Sequence, residues 1–130
     1  MTKTSPTQRS LAYCRKNGWT VAVVEKWNPF AKIRQDLFGC IDILVLDDLE
    51  QGPLAAQVTS GSGHSARKKK SLLEPRLEMW LKAPARFEVW SWSLKGPAGK
   101  RKLWTLRREP LTLMDFQAQN ESYSDLSSEP

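Results

Sequence analysis

The run Gly39-Cys40-Ile41-Asp42-Ile43-Leu44-Val45-Leu46 constrains this chain more than any other segment. Its composition predicts a buried strand over residues 40–46, interrupted by a single carboxylate. A strand of this kind needs neighbours and covering layers, and the rest of the sequence supplies candidates for both. Residues 20–27 are rich in β-branched side chains and are stopped by Asn28-Pro29. Leu54–Ser60 reads as a further strand, residues 103–107 as a last one. Residues 86–93 alternate strictly, with Phe87, Val89 and Ser91 on one face and Trp90 and Trp92 on the other.

Two helical segments frame these strands. Ser5-Pro6 looks like a cap followed by proline in the first turn, opening a helix to Lys16 that Asn17-Gly18 ends. Residues 65–82 place Leu73, Leu77, Trp80 and Leu81 on one side, with Pro75 expected to kink or split the helix. Residues 32–38 read as loop, 47–53 as a turn, Gly61-Ser62-Gly63 as a flexible hinge and 96–99 as a hairpin-like turn. The expected order is α-β-β-β-α-β-β. This is an α/β (α+β) arrangement with a central mixed sheet flanked by helices, and the link through the long helix is long enough for a crossover.

The chain has 130 residues, enough for one domain. That domain is expected over 1–114, followed by an acidic, disordered tail over 115–130. All 20 Lys and Arg residues precede Asp115, while 4 of the 14 acidic residues lie from Asp115 onward. A body this basic points to a polyanionic partner, most simply nucleic acid. No apolar run is long enough for a membrane span, and the first residues show no apolar signal core, so a cytoplasmic location is expected. Cys14 and Cys40 sit in apolar patterns and are expected to be free core thiols in a reducing compartment. With one histidine and no glycine-rich phosphate loop, a zinc finger and a nucleotide-binding loop are excluded.

Asp42 is the residue with the most chemistry to explain. An ionised carboxylate within an apolar strand is costly unless it is paired or coordinates a cation. It either lies near a strand end, bonded to backbone or to Arg34, or it ligates a hard cation such as magnesium. Alternation along Leu54–Ser60 puts Ala55, Gln57 and Thr59 on one face, so two polar side chains stand two apart on an otherwise apolar strand. They mark either the wet face of an edge strand or a small polar site shared with Asp42. Asp36 and Glu25 are candidates for a second carboxylate, Glu25 reading more readily as a surface ion-pair residue. Gln8 reads as a solvated helix residue.

Three stretches in this order, Arg34-x-Asp36-Leu37-Phe38-Gly39-x-x-Asp42, then Gln57-x-Thr59-Ser60-Gly61, then Ala66-Arg67-x-x-Lys70, resemble the PD-(D/E)XK nuclease superfamily. The likeness is to small phage-type nuclease-like proteins related to the VRR-NUC and Holliday-junction-resolvase branches, and it spans roughly residues 5–107. The resemblance implies a restriction-endonuclease-like core, a Mg2+ or Mn2+ cofactor, DNA as partner, a homodimer, and an intracellular setting in a phage-infected bacterium. It implies that Asp42 is the metal-binding aspartate and that the Val58 carbonyl is the main-chain ligand. Gln57 stands at the position of the family's Asp/Glu, and Thr59 at that of its lysine, so this chain carries a Q-x-T variant of the motif. Gln57 offers a neutral oxygen. Arg67 or Lys70, on one face of the next helix, would supply the missing cation.

Around that site the sequence is basic. Arg67-Lys68-Lys69-Lys70 opens a helix, where cations oppose the helix dipole. They read as phosphate contacts, together with Arg34, Ser60 and the backbone N–H groups of residues 60–63. Lys100-Arg101-Lys102 and Arg107-Arg108 form a second basic group. The six tryptophans are expected mostly in the core or in a dimer interface, with a minority free to stack on bases. His64 reads as neither a phosphate contact nor a general base. Three functions remain open: a metal-dependent DNA endonuclease, possessing a junction or branched substrate by resemblance; a catalytically impaired nucleic-acid-binding protein on the same fold; and a module whose basic face meets an acidic protein.

Overall fold

Ser5 opens helix α1 (Pro6–Lys16) as its sequence predicts, because its hydroxyl accepts the Gln8 N–H while the Gln8 side chain accepts the Ser5 N–H. That capping box accounts for Gln8. The structure, a computed structural model, describes residues 4–47 and 52–118. After α1 come β1 (Thr20–Val23), β2 (Lys26–Asn28), β3 (Ile33–Gln35), β4 (Ile43–Leu46) and β5 (Leu54–Ser60). A 3-10 turn (Gly61–Gly63) leads into α2 (His64–Leu72) and α3 (Pro75–Lys82), followed by β6 (Arg86–Lys95) and β7 (Leu103–Leu111). The helix expected over 65–82 is thus two helices, divided where Pro75 has no N–H to donate.

Five strands form a mixed sheet in the order β1-β4-β5-β6-β7, while β2 and β3 form a separate two-stranded ribbon. Among the described residues only β5 and β6 are parallel, and α2 and α3 make the crossover between them. Alternation distributes the core over the two faces. Cys14, Ile43, Val45, Ala56, Val58, Trp90 and Trp92 pack on the α1 side. Ala55, Leu77, Phe87, Val89 and Leu111 pack on the other, with Leu72, Trp80 and Leu81 from α2 and α3. Pro110 sits in β7, which an edge strand tolerates.

Several expectations are corrected. The strand expected over 20–27 breaks at Val24 and Glu25, and residues 32–38 supply β3 instead of a loop. Asp42 lies just before β4 and not within it. The last strand runs on to Leu111, and residues 113–118 are helical with Phe116 buried, so packing continues past 114. Residues 119–130 of the expected acidic tail, and 48–51 of the expected turn, lie outside the described residues. Among the described residues no helix is long and apolar enough to cross a membrane. Cys14 and Cys40 are free and buried, and burial pushes their thiols up to about 11 and about 12.

The aromatic load is mostly structural. Tyr13 meets the edges of Trp19, Trp90 and Trp92 at 5.6–6.2 Å. The Trp92 indole N–H donates to the buried Ser10 hydroxyl at 2.9 Å. Arg108, read from sequence as part of a basic surface group, instead lies over Trp90 and donates to both Glu88 oxygens at 2.7 and 3.1 Å. Trp27 and Trp104 are exposed.

The glycines read as a flexible hinge have another purpose. A Cβ on Gly61 would collide with the Ser93 hydroxyl, and one on Gly63 with the Thr59 hydroxyl. The 3-10 turn therefore lies flat against β5 and β6, and fixes where α2 begins. Gly61→Ala is expected to destabilise the fold by about 1–3 kcal/mol. Adding Ser93→Ala should recover part of that loss in a urea-denaturation double-mutant cycle, which simple loss of flexibility would not produce.

Candidate metal centre

The site is assembled by backbone pairing on either side of Asp42. The Asp42 N–H donates to the Ala56 carbonyl, and its own carbonyl accepts from Val24, both at 2.9 Å. The second bond delivers Glu25, the next residue. Leu37 and Ile41 form an isolated bridge, with the Leu37 N–H on the Ile41 carbonyl at 2.9 Å, and this delivers Asp36. One carboxylate oxygen from each of Glu25, Asp36 and Asp42 then lies within 4.8 Å of the others. Three hard oxygen donors this close could hold a metal ion.

Asp42 is only 4% exposed. Its Oδ2 accepts the Val58 N–H and the Gln57 Nε2–H, each at 2.7 Å. Burial is the main force raising its pKa to about 8, reinforced by hydrogen bonding to Asp36 and by the charges of Asp36 and Glu25. The Val58 N–H pulls the other way. The site therefore disfavours its own negative charge, and a proton or a cation relieves it.

Gln57 lies in the site, as the alternation of β5 predicts, and it acts as a donor. Its Nε2 bridges Asp42 and, at 3.3 Å, Asp36 Oδ2. Its Oε1 is buried without a hydrogen-bond partner. Thr59 is buried on the same strand face and packs under Gly63. Glu25, read chiefly as an ion-pair residue, does pair with Arg34 at 3.1 Å but also faces the cluster. Sequence periodicity hid this, because the strand ends at Val23, two residues before Glu25.

The cations divide. Lys70 Nζ lies 3.9 Å from Asp36 Oδ2, at the rim of the cluster. Lys68 is directed to Glu109 at 2.9 Å, and the described contacts of Arg67 do not join it to the carboxylates. Lys69 is exposed on α2. Ser60 makes a hydroxyl contact with Ser62 at 3.1 Å. Lys100, Arg101 and Lys102 are exposed between β6 and β7. Ser60 pairs with Trp92, so β6 runs on past β5 and carries this basic turn at the same end of the sheet as Gln57 and Thr59. A groove of ≈ 460 Å³ bordered by Arg34, Asp36, Lys70 and Arg76 opens beside the cluster.

His64 has a role that the sequence reading missed. It is buried, with Nδ1 2.6 Å from Ser91 Oγ and Nε2 2.8 Å from Glu109 Oε1. It ties the start of α2 to β6 and β7, and so holds the helix that carries Lys70. In the sequence it follows glycines that read as a flexible hinge, so nothing there marks this role.

The sign of the Asp42 shift gives a test. The unfolded carboxyl titrates near 3.8 and the folded one at about 8, so the folded state retains a proton that the unfolded state releases. This contribution to stability is complete below the lower value and is lost as pH rises toward the upper one. In chelator, wild-type Tm should fall between pH 6 and 9 relative to Asp42→Asn, by roughly 5 °C or more. Mn2+ should restore wild type and leave the variant unmoved, and parallel Tm curves would contradict the assignment. Comparison of the chain with protein-family models, with curated proteins and with solved structures finds no match.

Proposed function

We propose that this chain is a metal-dependent DNA endonuclease on the PD-(D/E)XK plan, hydrolysing phosphodiester bonds with Mg2+ or Mn2+. The observation that carries the reading is the convergence of Glu25, Asp36 and buried Asp42, with Asp36 and Lys70 also lining the groove beside them. The order of α1, three antiparallel-paired strands, a helical crossover and a parallel strand supports it as well.

The residues present fit a hard divalent cation. Asp42, Asp36 and Glu25 would hold it. Gln57 would join them once its amide turns over, which also gives its orphaned Oε1 a partner. Strand geometry points the Val58 carbonyl to the same edge of β5 as its N–H, which already meets Asp42. When bound, the metal supplies Lewis-acid polarisation and a water of lowered pKa. The chain's own part is to fix the carboxylates through the Val24–Asp42 and Leu37–Ile41 pairings, and to set positive charge beside the phosphate. Lys70 takes the role that Thr59 cannot, because it reaches the cluster from α2. Lys69, Lys100, Arg101 and Lys102 would guide the DNA backbone toward this end of the sheet.

A second reading is a DNA-binding protein that has lost catalysis. The Gln57 amide bridging two carboxylates favours it, since a neutral donor already offsets part of the charge a metal would neutralise. The two readings separate on a panel of single-stranded, duplex, flap and four-way-junction DNA. The nuclease reading expects cleavage that needs Mg2+ or Mn2+, is abolished in Asp42→Ala, and falls about 100-fold in Lys70→Ala with partial retention in Lys70→Arg. Salt-sensitive binding without cleavage at high enzyme would leave the second reading standing.

A further inference from the structure

Among the described residues the β2–β3 ribbon pairs with neither edge of the main sheet. Residues 26–35 carry Lys26, Lys32 and Arg34 and no acidic residue. Phe30, at the tip, is 97% exposed, and Trp27 is 59% exposed. The tip is held and not slack: Asn28 Oδ1 accepts the N–H groups of Phe30 and Ala31 at 3.0 and 3.1 Å, and Lys32 takes a left-handed φ of 54°. Phe30 is therefore presented to solvent by a constructed turn.

Register connects the arm to the metal centre. Trp27 pairs with Arg34 and Lys26 with Gln35, so Glu25 and Asp36 follow directly at the base of the ribbon. Side chains alternate, which sets Trp27 and Arg34 on the ribbon face that continues to Glu25 and Asp36, roughly 7 Å further along. The Arg34–Glu25 ion pair at 3.1 Å shows that continuity.

We infer that this ribbon is a stacking arm for unpaired nucleotides: bases lie against Trp27 and Phe30, phosphates meet Lys32 and Arg34, and the adjoining phosphodiester reaches the carboxylate cluster. The inference rests on the nuclease reading only for that last step. An aromatic face stacks on any base whose own face is free, and an intact duplex keeps its base faces covered. The arm thus selects nucleic acid with unpaired bases. A second copy of the chain is the weaker occupant, because two arms in contact would crowd six lysine and arginine side chains together.

The test is fluorescence anisotropy on the full chain in EDTA, with a labelled 20-nucleotide oligothymidine and a blunt 20-base-pair duplex. Both side chains are exposed, so the Trp27→Ala/Phe30→Ala variant should keep the wild-type Tm. It should bind oligothymidine at least tenfold more weakly, with duplex affinity changed less than threefold, while Trp27→Phe retains most of the binding. Unchanged oligothymidine affinity, an equal loss on both probes, or no binding to either would overturn the arm. So would conversion of a dimer to a monomer by the double variant in sedimentation velocity. Arm-dependent binding without metal-dependent cleavage would remove the nuclease and keep the arm. Cleavage with arm-independent binding would do the reverse.

Discussion

Asp42 sits where almost no water reaches it, and its carboxylate is held by one backbone donor, the Val58 N–H, and one amide, Gln57. Much of the structure is arranged around that fact. The same residue's backbone closes the β4–β5 ladder through Ala56 and receives β1 through Val24. A single position therefore joins three strands and carries the buried carboxyl of the three. Its side chain is buried and tied to the Val58 N–H and the Gln57 amide, which keeps it beside the charges of Asp36 and Glu25. The cost has to be met chemically, by a proton or by a cation.

The two faces of the sheet divide the remaining work. On the α1 face, Tyr13, Trp90, Trp92 and the Arg108–Glu88 pair form a packed aromatic layer. Arg108 is consumed there, despite its place in a basic run of the sequence. On the opposite face, α2 is pinned by two glycines too close to the sheet for a Cβ and by His64 between Ser91 and Glu109. This fixes the helix from which Lys70 reaches the acidic cluster. The proposed chemistry depends on that pinning, since a cation on a loosely held helix would spend little time beside Asp36.

The elements that could be read directly are those whose pattern is local. The Ser5 cap, the Pro75 break, the buried strand before Leu46, the alternation of β6 and the polar face of β5 follow from neighbouring residues alone. Asp42 stood out for the same reason, as a carboxylate among apolar residues. The short ribbon did not, because three-residue strands give too few positions for a period to show. Gly61 and Gly63 were misread as flexible, since a glycine required for close approach looks the same in a sequence as one required for freedom.

The residue pattern along the chain was enough for the class of fold, the candidate carboxylate at position 42, the two polar positions on β5 and the basic helix beside them. Which carboxylates join Asp42, and which lysine faces them, depended on how segments distant in sequence meet. Glu25 and Asp36 flank a ribbon that folds back on itself, and they come together only through bonds from Val24 to Asp42 and from Leu37 to Ile41. Hydrogen bonds of this kind are made by backbone groups that every residue possesses, so side-chain order along the chain carries no mark of them.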